Sequence, residues 1–137
     1  MRILLDTCVI VDALQKREPF WEDSAAIFRM IAAGKCTGCI TAKSVTDIYY
    51  LTHKITHSDE KTRDILNDLF KLFTVLDTAG IDCRKALISE MTDYEDAIMV
   101  ETAEREHVDI IVTRNIKDYK LAGISTMLPA EFLQVQL

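Results

Sequence analysis

The sequence lacks several features that would mark it as a membrane, secreted or disordered protein. Its longest apolar runs fall far short of the roughly eighteen residues that cross a bilayer. The first acid occurs at Asp6, too early for the apolar region of a secretory signal peptide. Only 4 glycines and 2 prolines occur in 137 residues, without a repeat or low-complexity segment. We therefore expect a cytoplasmic protein with one domain over residues 1–137.

Cysteine is also sparse, and its arrangement argues against both disulfides and zinc. Four cysteines would make a thin disulfide framework for a chain of this length. Cys36 and Cys39 have the spacing of a redox motif, but the residues that follow resemble a strand and not the helix that lowers a thiol pKa. A structural zinc would need two further ligands. Reduced, buried thiols are the expected state.

The sequence has fewer basic than acidic residues. The chain has 22 acidic residues against 16 lysines and arginines, which gives a net charge of −6 at pH 7. Such a field repels nucleic acid at long range and suggests no DNA-binding or membrane-binding surface. The objection to a nuclease weakens if many acids converge on one site and are neutralised there by a divalent metal.

Strand-like and helix-like segments alternate along the chain. Short apolar runs indicate strands, whereas apolar residues at intervals of three and four indicate helices. The alternation is typical of an α/β protein with a parallel sheet. The predicted strands are residues 2–5, 35–41, 74–77, 109–113 and 125–128, and the predicted helices are residues 9–16, 21–34, 42–55, 58–73, 82–91, 95–106 and 129–134, with a turn or short helix at 115–119.

Polar residues follow two of these strands at the point where each strand ends. Asp6 and Thr7 end the first strand, and Thr113 ends the strand at 109–113. Asn115 and Asp118 lie in the turn just after it. Because ligands of parallel sheets bind beyond the carboxyl ends of the strands, these residues predict an acidic crevice.

Three further acids lie on predicted helices or just before one. Asp47 lies near the border of a buried helical stripe, and Asp93 and Asp96 precede the apolar run at 97–100. Asp93 and Asp96 have the spacing of a capping box, and acids are favourable at a helix N-terminus. The run at 97–100 is apolar almost all round, so an acid in the first turn of such a buried helix needs a partner, which a metal ion at Asp96 would supply. Both interpretations stay open here.

Convergence of these acids favours a metal. Carboxylates in one crevice repel by roughly 4 kcal/mol per close pair at an effective dielectric constant of 20, so they need bound cations or raised pKa values. Oxygen ligands without histidine or thiolate select Mg²⁺ or Mn²⁺. Such ions activate water and stabilise the charge that develops in phosphodiester cleavage. The predicted ligands are Asp6, Asp47, Asp96 and Asp118.

Three blocks of the sequence resemble the signature blocks of the PIN domain family, in the family's order. They are "LLDTCVIVDAL" at 4–14, "DYEDAIMVETA" at 93–103 and "IIVTRNIKDY" at 110–119. The segment at 17–28 is similar to a subgroup related to VapC-type toxins. The resemblance covers essentially the whole chain. It implies a three-layer α/β/α sandwich whose central, mostly parallel sheet has four or five strands.

The resemblance also implies a function. PIN domains of this type are Mg²⁺- or Mn²⁺-dependent endoribonucleases, and the VapC-like subgroup implies a toxin with a small antitoxin partner and a homodimer. By position, Asp6, Asp47 and Asp96 match the family's first three acids, and the block at 114–119 supplies the fourth through Asp118. The supporting residues are Thr7, Asp93, Thr113 and Asn115, and the cations placed to meet substrate phosphate are Arg114 and Lys117.

Three positions depart from the family pattern. Cys8 stands where Asn or Ser is usual, and Asp47 stands where the longer Glu is commoner. Asn115 occupies a position often held by Asp, which leaves the fourth ligand to Asp118 or to a water-mediated contact. These departures keep open a second interpretation, in which a catalytically impaired PIN scaffold binds RNA or a protein partner.

A phosphoreceiver-type signalling domain is the alternative from another class. Asp77 ends the third predicted strand, where a phosphoacceptor would lie, and Thr113 also suits that fold. Against it, the first strand ends in Asp-Thr and not in a pair of acids, and no lysine closes the strand at 125–128.

Overall fold

A single parallel sheet organises the computed structural model, which describes residues 1–136. Its five strands lie in the order β3-β2-β1-β4-β5, and each of the four pairings is parallel. The prediction of a mostly parallel sheet of four or five strands is confirmed, while Leu137, the end of the predicted domain, lies outside the described residues. The strands are β1 (Arg2–Leu5), β2 (Thr37–Thr41), β3 (Thr74–Leu76), β4 (Ile110–Val112) and β5 (Ser125–Met127).

The strand order also decides against one alternative. Receiver domains have the order 2-1-3-4-5, whereas here β2 lies between β1 and β3. The phosphoreceiver interpretation is therefore wrong for this chain.

Helices occupy the connections, as predicted, with shifts of a few residues at their ends. The first helix begins two residues before the predicted start because the Asp6 carboxylate caps it, accepting the Thr7 N–H. Ser58 caps another helix through the Lys61 N–H. The helices are α1 (Thr7–Gln15), α2 (Trp21–Ala32), α3 (Ala42–Thr56), α4 (Asp59–Leu72), α5 (Gly80–Leu87), α6 (Tyr94–Arg105) and α7 (Pro129–Val135), with a 3₁₀ turn at Ile116–Tyr119.

Within residues 1–136, no helix combines the length and apolarity that a membrane span requires.

The sheet has a hydrophobic core on each face, which makes the fold a three-layer α/β/α sandwich. On β1, Ile3 and Leu5 face the core formed with α1, α2, α3, α4 and α7. Leu4, between them, faces the second core, formed with α5 and α6. Alternate side chains of a strand point to opposite faces, so a strand buried on both sides reads as a continuous apolar run. Phe132 of α7 is fully buried in the first core.

Pairing between β1 and β4 determines which residues leave the sheet together at its carboxyl edge. Leu5 of β1 is in register with Val112 of β4. The N–H of Asp6 donates to the carbonyl of Val112 at 3.0 Å, which continues the pairing by one step. Asp6 and Thr113 therefore leave the sheet side by side at its carboxyl edge.

An ion pair fastens α6 to the segment that follows β3. The buried Asp82 carboxylate accepts hydrogen bonds from Arg105 Nε at 3.0 Å and from the Thr102 hydroxyl at 2.9 Å. Arg105 Nη2 also donates to the carbonyl of Asp77 at 2.6 Å. Burial opposes ionisation of Asp82, but the bonds from Arg105, the Ala79 N–H and Thr102 outweigh it and lower its pKa. The pair therefore stays charged and holds α6 in place.

The buried ring of Phe132 gives a test of the first core. Phe132→Ala should lower the free energy of unfolding by about 3–5 kcal/mol, since it removes a fully buried ring and leaves a cavity. Phe70→Ala is the matched control, because that ring is 46% exposed and its loss should cost less than about 1 kcal/mol. Urea unfolding measures both; equal losses would show that α7 is not part of the core.

Candidate functional site

Asp6 is held rigidly at the carboxyl edge of the sheet. Its side chain is almost completely buried, with the residue 7% exposed. Oδ1 accepts the Thr7 N–H at 2.8 Å, and Oδ2 accepts the Thr113 hydroxyl at 2.8 Å. Thr113 is itself positioned, since its Oγ1 accepts the N–H of Asn115 at 3.0 Å. Thr7 thus supports Asp6 through its backbone, and Thr113 does so through its hydroxyl.

Asp96 approaches the same place from the first turn of α6. Asp93 is the N-cap of this helix, and its Oδ1 accepts the Asp96 N–H at 2.9 Å. The carboxylate of Asp96 accepts a hydrogen bond from the hydroxyl of Tyr119 at 3.2 Å. One acid therefore caps the helix, while the other faces the strand ends.

Tyr119 joins the two acids, a role that the sequence did not reveal. Its hydroxyl lies 3.3 Å from Asp6 Oδ2 and 3.2 Å from Asp96 Oδ1, and the residue is 2% exposed. Burial, followed by the charges of Asp6 and Asp96, raises its pKa far above the ordinary tyrosine value, so it stays protonated. A buried tyrosine usually finds a partner for its hydroxyl, which was the available signal, but which partner depends on the tertiary fold.

Several negative charges lie close to Asp96 and affect its pKa. The pKa of Asp96 is raised from 3.8 to about 6, chiefly by burial and then by the negative charges of Asp6 and Asp93. Asp118 adds to the rise, and the hydrogen bond from Tyr119 acts against it. A cation bound here would offset the contribution that the neighbouring negative charges make to this pKa.

Asp47 is engaged elsewhere. Its side chain is 49% exposed and its Oδ2 lies 3.3 Å from Lys43 Nζ. The same ammonium lies 2.9 Å from Glu95 Oε2, one residue before Asp96. The described contacts thus place Asp47 on a lysine that links α3 to α6 through Glu95.

The remaining predicted residues lie in and around the 3₁₀ turn. Asp118, Lys117 and Asn115 are exposed and line a depression of about 450 Å³. Asp118 is close enough for its charge to raise the pKa of Asp96. Asp118 is therefore the acid of the 3₁₀ turn that lies near Asp96.

Arg114 is bound within the protein. Its Nε lies 2.6 Å from Oδ2 of the fully buried Asp12, and its Nη2 lies 3.2 Å from Oδ1. The guanidinium also covers the ring of Phe20, with 4.0 Å between its carbon and the ring centroid. Of the two cations predicted to meet phosphate, Lys117 is the exposed one.

The donors present suit Mg²⁺ or Mn²⁺ in kind. Asp6 and Asp96 offer carboxylate oxygens, Asp6 is already oriented by two hydrogen bonds, and the negative charges of Asp6 and Asp93 contribute to the raised pKa of Asp96. Within residues 1–136, however, no three carboxylate, imidazole or thiolate side chains lie close enough together to hold a metal ion. A complete ligand set would need Asp47 or Asp118 to move toward the pair.

Comparison by sequence identifies one family. A family model described as a PIN domain matches residues 2–117, which is most of the chain. A search of curated proteins by sequence finds no match.

Comparison by structure finds solved proteins with a similar fold. VapBC2 from Rickettsia felis, solved with a promoter DNA fragment, has a TM-score of 0.71 at 17% identity, over 93% of this chain and 98% of that one. FitAcB from Neisseria gonorrhoeae has a TM-score of 0.68 at 19% identity, over 93% and 98%. A toxin–antitoxin complex from Klebsiella pneumoniae has a TM-score of 0.67 at 22% identity, over 93% and 97%. The likeness at these identities shows a shared fold.

The raised pKa of Asp96 predicts how stability depends on pH. The folded chain binds this proton more tightly than the unfolded chain, whose value is 3.8. The resulting stabilisation is present below that value and is lost as the pH rises through about 6. Without metal, Asp96→Asn should therefore be more stable than the wild type at about pH 7.5, by about 1–2 kcal/mol after allowance for solvent screening.

Urea unfolding in EDTA at about pH 4 and about pH 7.5 measures this difference. The advantage of Asp96→Asn should nearly vanish at the lower pH. An advantage of the same size at both pH values would show that titration of Asp96 is not its cause.

Proposed function

Because the chain belongs to the PIN domain family, we propose that it is a cytoplasmic, Mg²⁺- or Mn²⁺-dependent endoribonuclease that hydrolyses RNA phosphodiester bonds. One observation carries the proposal: the carboxylates of Asp6 and Asp96 converge on the hydroxyl of Tyr119 at the carboxyl edge of the sheet. This is the edge at which parallel sheets bind their ligands.

The proposed roles follow from how each side chain is held. Asp6 and Asp96 would bind the metal directly, with Asp118 contributing from the exposed turn and Asp47 from α3. When bound, the metal would activate a water molecule and stabilise negative charge on the phosphodiester. Thr113 and Tyr119 hold Asp6 and Asp96 in orientation through hydrogen bonds of 2.8 Å and 3.2 Å.

Substrate phosphate needs a cation that is free to meet it. Lys117 is exposed and lines a second depression together with Asp118 and Lys120. Arg114 is already paired with Asp12. We therefore assign phosphate binding to Lys117, which offsets locally the repulsion expected from the net charge of −6.

The structural likenesses extend the proposal to a biological setting. One of the similar proteins, from Klebsiella pneumoniae, is described as a toxin–antitoxin complex, and the likeness spans 93% of this chain and 97% of that one. We propose that this chain is the toxin of such a pair, with a small antitoxin protein as partner, and that it forms a homodimer.

One observation favours the alternative of an impaired scaffold that binds RNA or a protein. Asp47, which matches the family's second acid, is neutralised by Lys43 in the structure. The two functions differ in a simple property, since only the nuclease cleaves RNA when metal is added.

Substitution of the two converging acids tests the nuclease. With Mn²⁺, the purified chain should cleave single-stranded RNA, and EDTA should stop the reaction. Asp6→Asn and Asp96→Asn should each reduce cleavage by about a hundredfold or more, since each removes a charged metal ligand while keeping the shape of the side chain.

The matched control is Asp68→Asn, which changes an exposed acid on α4 that pairs with Lys71, at 3.7 Å. It should leave cleavage unchanged, and circular dichroism should show all three variants folded. Cleavage that persists in both Asp6→Asn and Asp96→Asn, or in EDTA, would refute the proposed function. Mn²⁺-independent RNA binding without cleavage would support the scaffold.

A further inference from the structure

Lys43 contacts both a predicted metal ligand, Asp47, and Glu95, the residue that precedes Asp96. It lies in the first turn of α3, and its ammonium is shared between Asp47 Oδ2 at 3.3 Å and Glu95 Oε2 at 2.9 Å. Its side chain is 26% exposed, less than the side chain of either acid. The N–H of Lys43 also donates to the hydroxyl of Thr78 at 3.3 Å, which fixes the base of the residue.

The two acids that share this ammonium have different places in the site. Asp47 matches a metal ligand of the family, whereas Glu95 adjoins the ligand Asp96 and is 71% exposed along its side chain. Lysine ammonium groups are charged at neutral pH. Lys43 therefore supplies one positive charge where the predicted ligand set requires a free carboxylate.

We propose that Lys43 competes with the metal ion for Asp47, and so sets how many carboxylates the site offers to the metal. The inference rests on the proposed function, because it takes Asp47 as a ligand. Without metal, Lys43 holds Asp47 away from the Asp6–Asp96 pair. Metal binding by Asp47 through Oδ2 requires the contact at 3.3 Å to break, binding through Oδ1 alone leaves the charge of Lys43 opposing the metal, and Lys43 keeps Glu95 as its shorter contact.

The size of the effect follows from the exposure of the pair. Asp47 is half in water, and partly exposed ion pairs four residues apart on a helix are weak. Lys43 therefore lowers the metal affinity by about two- to fivefold and does not close the site. When Asp47 binds the metal, Glu95 is the acid that still pairs with Lys43.

Isothermal titration calorimetry of the full chain with MnCl₂, in the absence of RNA, measures the Kd for Mn²⁺ and tests the inference. Lys43→Met should lower the Kd for Mn²⁺ by about two- to fivefold. Lys43→Arg keeps the positive charge and the reach to Asp47, so its Kd should stay near that of the wild type. Lys71→Met removes an equal charge from the exposed pair with Asp68 and should also have no effect.

A double-mutant cycle separates competition for Asp47 from a general loss of positive charge. In the Asp47→Asn background, Lys43→Met should no longer change the Kd, because the contested carboxylate is gone. An equal gain in both backgrounds would overturn the inference, since it would show that only the local field had changed. An unchanged Kd in Lys43→Met would overturn it as well.

The same titrations distinguish failure of the inference from failure of the proposed function. Mn²⁺ binding that is lost in Asp6→Asn and Asp96→Asn, yet is indifferent to Lys43, would overturn the inference alone. An absence of Mn²⁺ binding in the wild type and in every variant would overturn both.

Discussion

Two carboxylates share one buried hydroxyl in this protein, and the site depends on how the fold enforces that arrangement. Asp6 and Asp96 lie 3.3 and 3.2 Å from the oxygen of Tyr119, which has a single proton to donate. Hydrogen bonds from Thr7 and Thr113 and the N-terminus of α6 offset part of the repulsion. Burial, and after it the remaining charges of Asp6 and Asp93, raises the pKa of Asp96 to about 6. A divalent cation bound between the two carboxylates would offset their mutual repulsion.

The topology creates this pair from residues that are distant in sequence. Adjacent β1 and β4 place Asp6 beside Thr113, although 107 residues separate them. The helix α6 packs on the opposite face from α1 and brings Asp96 to the same edge. The ion pair between Asp82 and Arg105 fixes α6 at its other end. Rigid elements thus hold Asp6 and Asp96, whereas Asp118 lies on an exposed turn.

Much of the fold and part of the site could be predicted because their signals are local. Apolar runs and helical stripes identified every strand and helix, and the rule that ligands bind at strand ends singled out Asp6. The Asp93 cap was also visible, since its partner Asp96 is three residues away. Helix ends were less certain: α5 begins at Gly80 because the Asp82 carboxylate accepts the Ala79 N–H, a detail that the apolar pattern does not contain.

Contacts between distant segments could not be predicted in this way. Arg114 binds Asp12 across 102 positions, so nothing near Arg114 in the sequence showed that its charge was already used. Tyr119 can join Asp6 and Asp96 only because the fold brings the end of β1 and the start of α6 to the 3₁₀ turn. Lys43 and Asp47 are four residues apart and could have been paired, but the second contact, to Glu95, lies 52 positions away. Whether Asp47 is free to bind metal is thus a tertiary property.

The most direct measurement is X-ray diffraction from a crystal of the full chain that has been soaked in MnCl₂. An anomalous difference map then locates the manganese. Our account predicts a peak coordinated by carboxylate oxygens of both Asp6 and Asp96. A map from a well-ordered, Mn²⁺-saturated crystal with no peak at these two acids, or with manganese bound only elsewhere, would contradict it.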